Sequence, residues 1–109
     1  MCDFNNLSTS EYGFILRCKS CGHYQIGFGT TIFSLNKTDF EKFSLMITDL
    51  SQQNFQDRKA GSRQLVLPTP YYGVSLLLSP EEILQVQNLI KEAEQEETMQ
   101  SMLALFSDN

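Results

Sequence analysis

Apolar residues recur along this chain with two different periods. From Tyr12 to Leu35 they come in short blocks. "YGFILRC" (Tyr12 to Cys18), "YQIGF" (Tyr24 to Phe28) and "TIFSL" (Thr31 to Leu35) are strand-length, rich in aromatic and β-branched residues, and punctuated by glycine. The residues before Tyr12 form a polar start. After Leu35 the period changes. Phe40, Phe43, Ile47 and Leu50 follow one another at i, i+3, i+7 and i+10, which predicts a helix over "NKTDFEKFSLMITDL". A polar loop, Gln56 to Ser62, leads to a short apolar strand "QLVL" (Gln64 to Leu67). The turn "PTPYYG" and the strand "VSLLL" (Val74 to Leu78) follow, and a second helix is predicted from Pro80 to Phe106.

Both helices carry start signals. Asn36 can cap the first, with Asp39 in its third position and Leu35 placed to staple Phe40. Ser79 can cap the second, with Pro80 at the first helical position, Glu82 where a capping box needs it, and Leu78 opposite Ile83. The order strand, turn, strand, capped helix therefore occurs twice, which suggests an internal ββα-ββα duplication. Chance recurrence of hairpins before capped helices accounts for the same order. The pattern predicts one α+β domain over residues 1–109, with an antiparallel sheet of about four or five strands and two helices on one face. Within it lie a cysteine-knuckle segment (1–23) and two strand-strand-helix units (24–55 and 63–106). Phe40, Phe43, Ile47, Leu50, Ile83, Val86 and Ile90 are the expected sheet-facing core.

The second helix changes face along its length. Ile83, Val86, Leu89, Ile90 and Ala93 cluster on one side at about 100° per residue, whereas Met99, Met102, Leu103 and Phe106 cluster roughly 140° away. Between them "EQEET" is wholly polar. Two arrangements satisfy this: the helix breaks near Glu94 to Thr98, or the second stripe meets another chain. A frayed tail is the bland alternative. An exposed Met and Phe stripe marks a contact surface. Met99, Met102, Leu103 and Phe106, with Tyr71 and Tyr72 in the proline-rich turn, are accordingly the candidate interaction residues, and a protein partner or a homodimer is the expected partner.

Charge narrows the field further. The net charge is −5, and Glu81, Glu82, Glu92, Glu94, Glu96 and Glu97 crowd the last third around a single base, Lys91. Nucleic acid and anionic membranes both require a positive face, so neither is an expected partner. No apolar run approaches the roughly 18 residues of a membrane helix. The start shows no charged-then-apolar leader, and three cysteines is an odd count that fits a reducing compartment. A cytoplasmic location is expected.

The chemistry concentrates in "RCKSCGHY", Arg17 to Tyr24. Two cysteines two apart, then a glycine, form a turn that can aim two thiolates at one point between strands. Cys2 adds a third thiolate and His23 a possible fourth ligand. Cys2, Cys18, Cys21 and His23 thus make a candidate zinc-ribbon site in which Asn5 stands where a fourth cysteine would complete the pattern. An empty knuckle of reduced cysteines is the alternative, so the cofactor is either none or one structural zinc. Redox chemistry of the thioredoxin kind requires a cysteine at a helix N-terminus, and the run after Cys21 reads as a strand. With one histidine and no nucleophile elbow, no catalytic set is identifiable and no small-molecule substrate is implied. "GFGTT" lacks the spaced glycines and the Lys-Ser/Thr ending of a phosphate loop.

An N-terminal "MC", the segment "GFILRCKSCGHYQIGFG", then "SL" and a capped helix resemble a family of small bacterial proteins, of a Bacteroidetes type, whose function is unknown. The resemblance covers about the first fifty residues and rests on Cys2, Cys18, Cys21 and the following "GFG". It implies no activity, substrate or site. From the residues themselves, a non-catalytic interaction module is expected, with a zinc-stabilised ribbon-like domain as the alternative.

Overall fold

The computed structural model describes residues 3–53, 62–63 and 65–107. Four strands form one antiparallel meander in sequence order: β1 (Phe4–Ser10), β2 (Gly13–Cys18), β3 (Tyr24–Phe28) and β4 (Thr31–Leu35). Helix α1 (Lys37–Ser51) follows. A separate two-stranded hairpin, β5 (Leu65–Pro68) and β6 (Ser75–Leu78), leads into helix α2 (Pro80–Ser107). The α+β class and both helices stand as the pattern predicts. The strands divide between two sheets instead of joining in one. The twice-repeated order of two strands and a capped helix is present, as β3-β4-α1 and β5-β6-α2.

Local chemistry explains most boundaries. The Asn36 side chain accepts a hydrogen bond from the Asp39 N–H at 2.8 Å, and Leu35 and Phe40 are both buried behind it. At α2 the capping box closes both ways. The Ser79 N–H donates to Glu82 Oε1 at 2.9 Å, and the Glu82 N–H donates to Ser79 Oγ at 3.1 Å. Gly29, with φ of 61°, begins the two-residue turn between Phe28 and Thr31, where a side chain would be strained. On the sheet face away from the helices the Phe14 ring lies directly over Gly27, leaving no room for a Cβ there.

The polar start is not a loop. "FNNLSTS" is β1, paired along its length with β2 and interrupted by a bulge between Asn6 and Ser8. The bulge lets both Leu7 and Ser8 be buried, which strict alternation forbids. Helix α2 lies over β1 and β2, and α1 lies beside it toward β4. Their shared core holds Ile15, Ile26, Leu35, Phe40, Phe43, Ile47, Ile83, Val86, Leu89, Ile90 and Ala93. Of the predicted core positions only Leu50 is half-buried, at the edge of the cluster. The hairpin contributes Leu65, Leu67 and Leu78 to the same core.

Helix α2 does not break. Its 28 residues run unbroken through Glu94–Thr98, a length of about 42 Å. The molecule measures 57 × 27 × 24 Å in consequence.

Candidate functional site

The distal half of α2 is where sequence pattern and fold disagree most. Counting on from Ile90 and Ala93 by threes and fours gives Glu97, Gln100 and Ala104, so the core-facing stripe continues as polar and small residues. These meet polar partners on β1–β3. Glu97 Oε2 takes the Arg17 guanidinium at 2.5 Å, and its carboxylate accepts from the Tyr24 hydroxyl at 2.9 and 3.0 Å. Asn5 Nδ2 donates to Gln100 Oε1 at 2.6 Å, and Ser8 Oγ donates to Glu92 Oε2 at 3.2 Å. The Arg17 guanidinium also lies 5.0 Å above the Tyr24 ring, whose other face stacks on Phe40 at 4.0 Å. Burial and the neighbouring Glu97 push the Tyr24 phenol up to about 12. Glu92, Glu97 and Gln100 therefore form a polar staple to the sheet.

On the opposite side of the same half-helix, no described residue covers the surface. Met99, Met102, Leu103 and Phe106 are 56%, 54%, 61% and 81% exposed. Together with Glu94, Gln95 and Thr98 they line a shallow apolar groove. Four of the six predicted interaction residues, those on α2, thus share one surface. Tyr71 and Tyr72 are also exposed, but they lie in the β5–β6 turn and belong to a different part of the molecule. Tyr71 is not idle there: its hydroxyl donates to the backbone carbonyl of Ser34 on β4.

The cysteine knuckle is the turn between β2 and β3. The Cys18 N–H donates to the His23 carbonyl at 2.8 Å, and the Gly22 N–H donates to the Cys18 carbonyl at 2.9 Å. Gly22 has φ of 78°, the left-handed backbone that the turn requires. The Cys21 N–H points at Cys18 Sγ, 3.4 Å away, and His23 Nδ1 lies 3.2 Å from Cys21 Sγ. Cys18 is buried, whereas Cys21 and His23 are exposed. Cys2 lies outside the described residues. Among the described residues, no cluster of three or more His, Cys, Asp or Glu side chains has the geometry to hold a metal ion. Arg17 links this turn to the helix, since its Nε donates to the Gly22 carbonyl at 3.4 Å.

A model of a family of unknown function, DUF6686, matches residues 1–107. The chain belongs to that family. No curated protein and no solved structure matches it. DUF6686 membership therefore assigns no activity to the knuckle, the polar staple or the apolar strip. The staple residues Arg17, Tyr24, Glu97 and Gln100 were not predicted as a site from the sequence. The available signal was the spacing of Glu97, Gln100 and Ala104 in register with the buried stripe. Among the described residues, no helix is long and apolar enough to cross a membrane.

Proposed function

We propose that this DUF6686 chain is a small non-catalytic interaction module that pairs with a second copy of itself through the distal half of α2. The observation that carries the reading is the strip of Met99, Met102, Leu103 and Phe106, held outward by the polar staple on the opposite side of the helix. At their exposures these four side chains amount to roughly 500 Å² of apolar surface, against about 800 Å² per partner in a standard interface. With Glu94, Gln95 and Thr98 as a rim, the strip supports a dimer that dissociates on dilution.

Charge selects the geometry. In a parallel pair Glu94, the glutamate on the rim of the strip, would meet its own copy. An antiparallel pair about a two-fold axis between Met102 and Leu103 sets one copy's Met99 against the other's Phe106 and keeps the two Glu94 side chains apart. Light scattering over a dilution series tests this. A dimer that becomes monomeric on Met102→Ser with Phe106→Ser, with the circular dichroism unchanged, is the expected result. A folded monomer at millimolar concentration overturns the reading.

A second reading is a structural zinc at the knuckle. It is favoured by the Cys21 N–H directed at Cys18 Sγ and by His23 Nδ1 beside Cys21 Sγ. Asp3, the neighbour of Cys2, is tied to the same turn, where its carbonyl accepts from the Lys19 N–H at 2.9 Å. Cys2, Cys18, Cys21 and His23 would be the ligands, and the metal would stabilise the turn. Purified protein should carry about one zinc per chain, lost on Cys18→Ser together with stability. Metal-free protein that folds equally well rejects the site.

A further inference from the structure

The edge of β4 offers a second recognition surface, independent of the helix strip. The two-residue turn after Phe28 fixes the ladder. Phe28–Thr31, Ile26–Phe33 and Tyr24–Leu35 exchange hydrogen bonds, so the N–H and C=O groups of Ile32 and Ser34 point off the outer edge. β4 ends the sheet, and among the described residues no strand pairs with that edge. Natural edges are blunted by charge, proline or a bulge. The other edge, β1, has a bulge and the cover of α2. "TIFSL" has no charge, proline or bulge, and Ile32 is 62% exposed.

Across from this edge stands β6, in a separate sheet. Between them lies a cavity of about 240 Å³, lined by Thr31 and Phe33 on one side and Leu76 and Leu78 on the other, with Phe43 and Val86 in its floor. Arg63 and Glu82 also line it and neutralise each other, with Nε to Oε1 at 2.9 Å. The Tyr71 hydroxyl donates to the Ser34 carbonyl, an acceptor that a neighbouring strand's N–H would otherwise take.

We infer that the outer edge of β4 binds an extended, uncharged peptide segment by strand addition, with one large apolar side chain in the cavity and Tyr71 as the displaceable placeholder. A second folded copy does not fit, because an edge strand brings its own sheet on its far side, where β6 stands. A single extended segment has both flanks open and can lie between the two. Neutral groove and uncharged edge match an uncharged segment. Main-chain hydrogen bonds to Ile32 and Ser34 supply the affinity, and the cavity supplies the preference.

The test pans displayed random heptapeptides on the full chain, then titrates a capped enriched peptide and its backbone N-methylated form. Alternating apolar sequences should be enriched. Ile32→Pro removes the outward N–H while leaving the β3–β4 ladder intact, since proline is tolerated on an edge at such a position. It should weaken binding at least about tenfold, as should N-methylation of the peptide. Tyr71→Phe removes the competing donor and should tighten binding several-fold. Failure to enrich any such sequence overturns the inference. So does binding unaffected by N-methylation, a readout that stands even where Ile32→Pro does not fold. Binding lost on Met102→Ser assigns the peptide to the helix strip and overturns it equally.

Discussion

Replacing Glu97 by alanine tests whether the polar staple holds the distal half of α2 on the sheet. Tyr24 is 2% exposed, so its hydroxyl would be left without its acceptor in a place where water cannot easily replace it. Losing a hydrogen bond between a buried hydroxyl and a carboxylate costs about 1.5–3 kcal/mol. The ion pair adds less. The side chain of Arg17 is 35% exposed and that of Glu97 22%, so after solvent screening the pair contributes about 0.5 kcal/mol. Alanine returns a few tenths through helix propensity. The net expectation is a loss of about 2 kcal/mol, which at a urea m-value near 1.5 kcal/mol/M shifts the midpoint by about 1.3 M. Tyr24→Phe alone should cost about 1 kcal/mol. Because the two residues share one contact, the double variant should fall short of the sum by about 1 kcal/mol. Amide exchange across residues 98–107 should speed up in both. A Glu97→Ala loss below about 0.5 kcal/mol, with the two substitutions additive, would refute the staple.

Two further expectations concern stability. Phe43→Ala removes a buried aromatic packed edge-on against Phe33 at 5.5 Å and should cost about 3–5 kcal/mol by chemical denaturation; a loss below about 1 kcal/mol would mean this helix face is not core. The raised Tyr24 phenol favours the protonated, folded form. Its contribution is complete below the ordinary tyrosine value of 10.0 and is lost as pH climbs toward about 12, so stability should fall across that window, and a late phenolate absorbance step should vanish in Tyr24→Phe.

Most of the fold is legible because its signals are local. Both helix starts follow from side chains within four residues of the cap, and the β3–β4 turn follows from Gly29. The CxxCG spacing announces the knuckle turn, since Gly22 supplies the left-handed backbone that closes it. β1 leaves no such trace. Its alternation is broken by a bulge, and Asn5 and Ser8 are satisfied by Gln100 and Glu92, which lie 95 and 84 residues away. A polar strand that is held by polar partners has no hydrophobic period to read. The division into two sheets is hidden for a related reason. "TIFSL" and "VSLLL" predict strands equally well, but nothing within either segment says whether they pair with each other.

The distal half of α2 reverses the usual relation between pattern and packing. Hydropathy alone places Met99, Met102, Leu103 and Phe106 inside and Glu97 and Gln100 outside. The structure does the opposite, and the reasons are the phase of an unbroken helix and directional chemistry. Helix α2 is continuous, so burying Ile83, Val86, Leu89, Ile90 and Ala93 already turns the apolar strip, roughly 140° round, away from the sheet. The same phase is reinforced by groups that accept only one partner geometry: Tyr24 and Arg17 on Glu97, and Asn5 on Gln100. Rotating the helix would leave a buried phenol and a half-buried guanidinium unpartnered, at about 1–3 kcal/mol each. The staple thus adds to stability and, with the buried proximal stripe, fixes which face is outward. If the apolar strip is the surface that meets a second copy, the staple is what presents it.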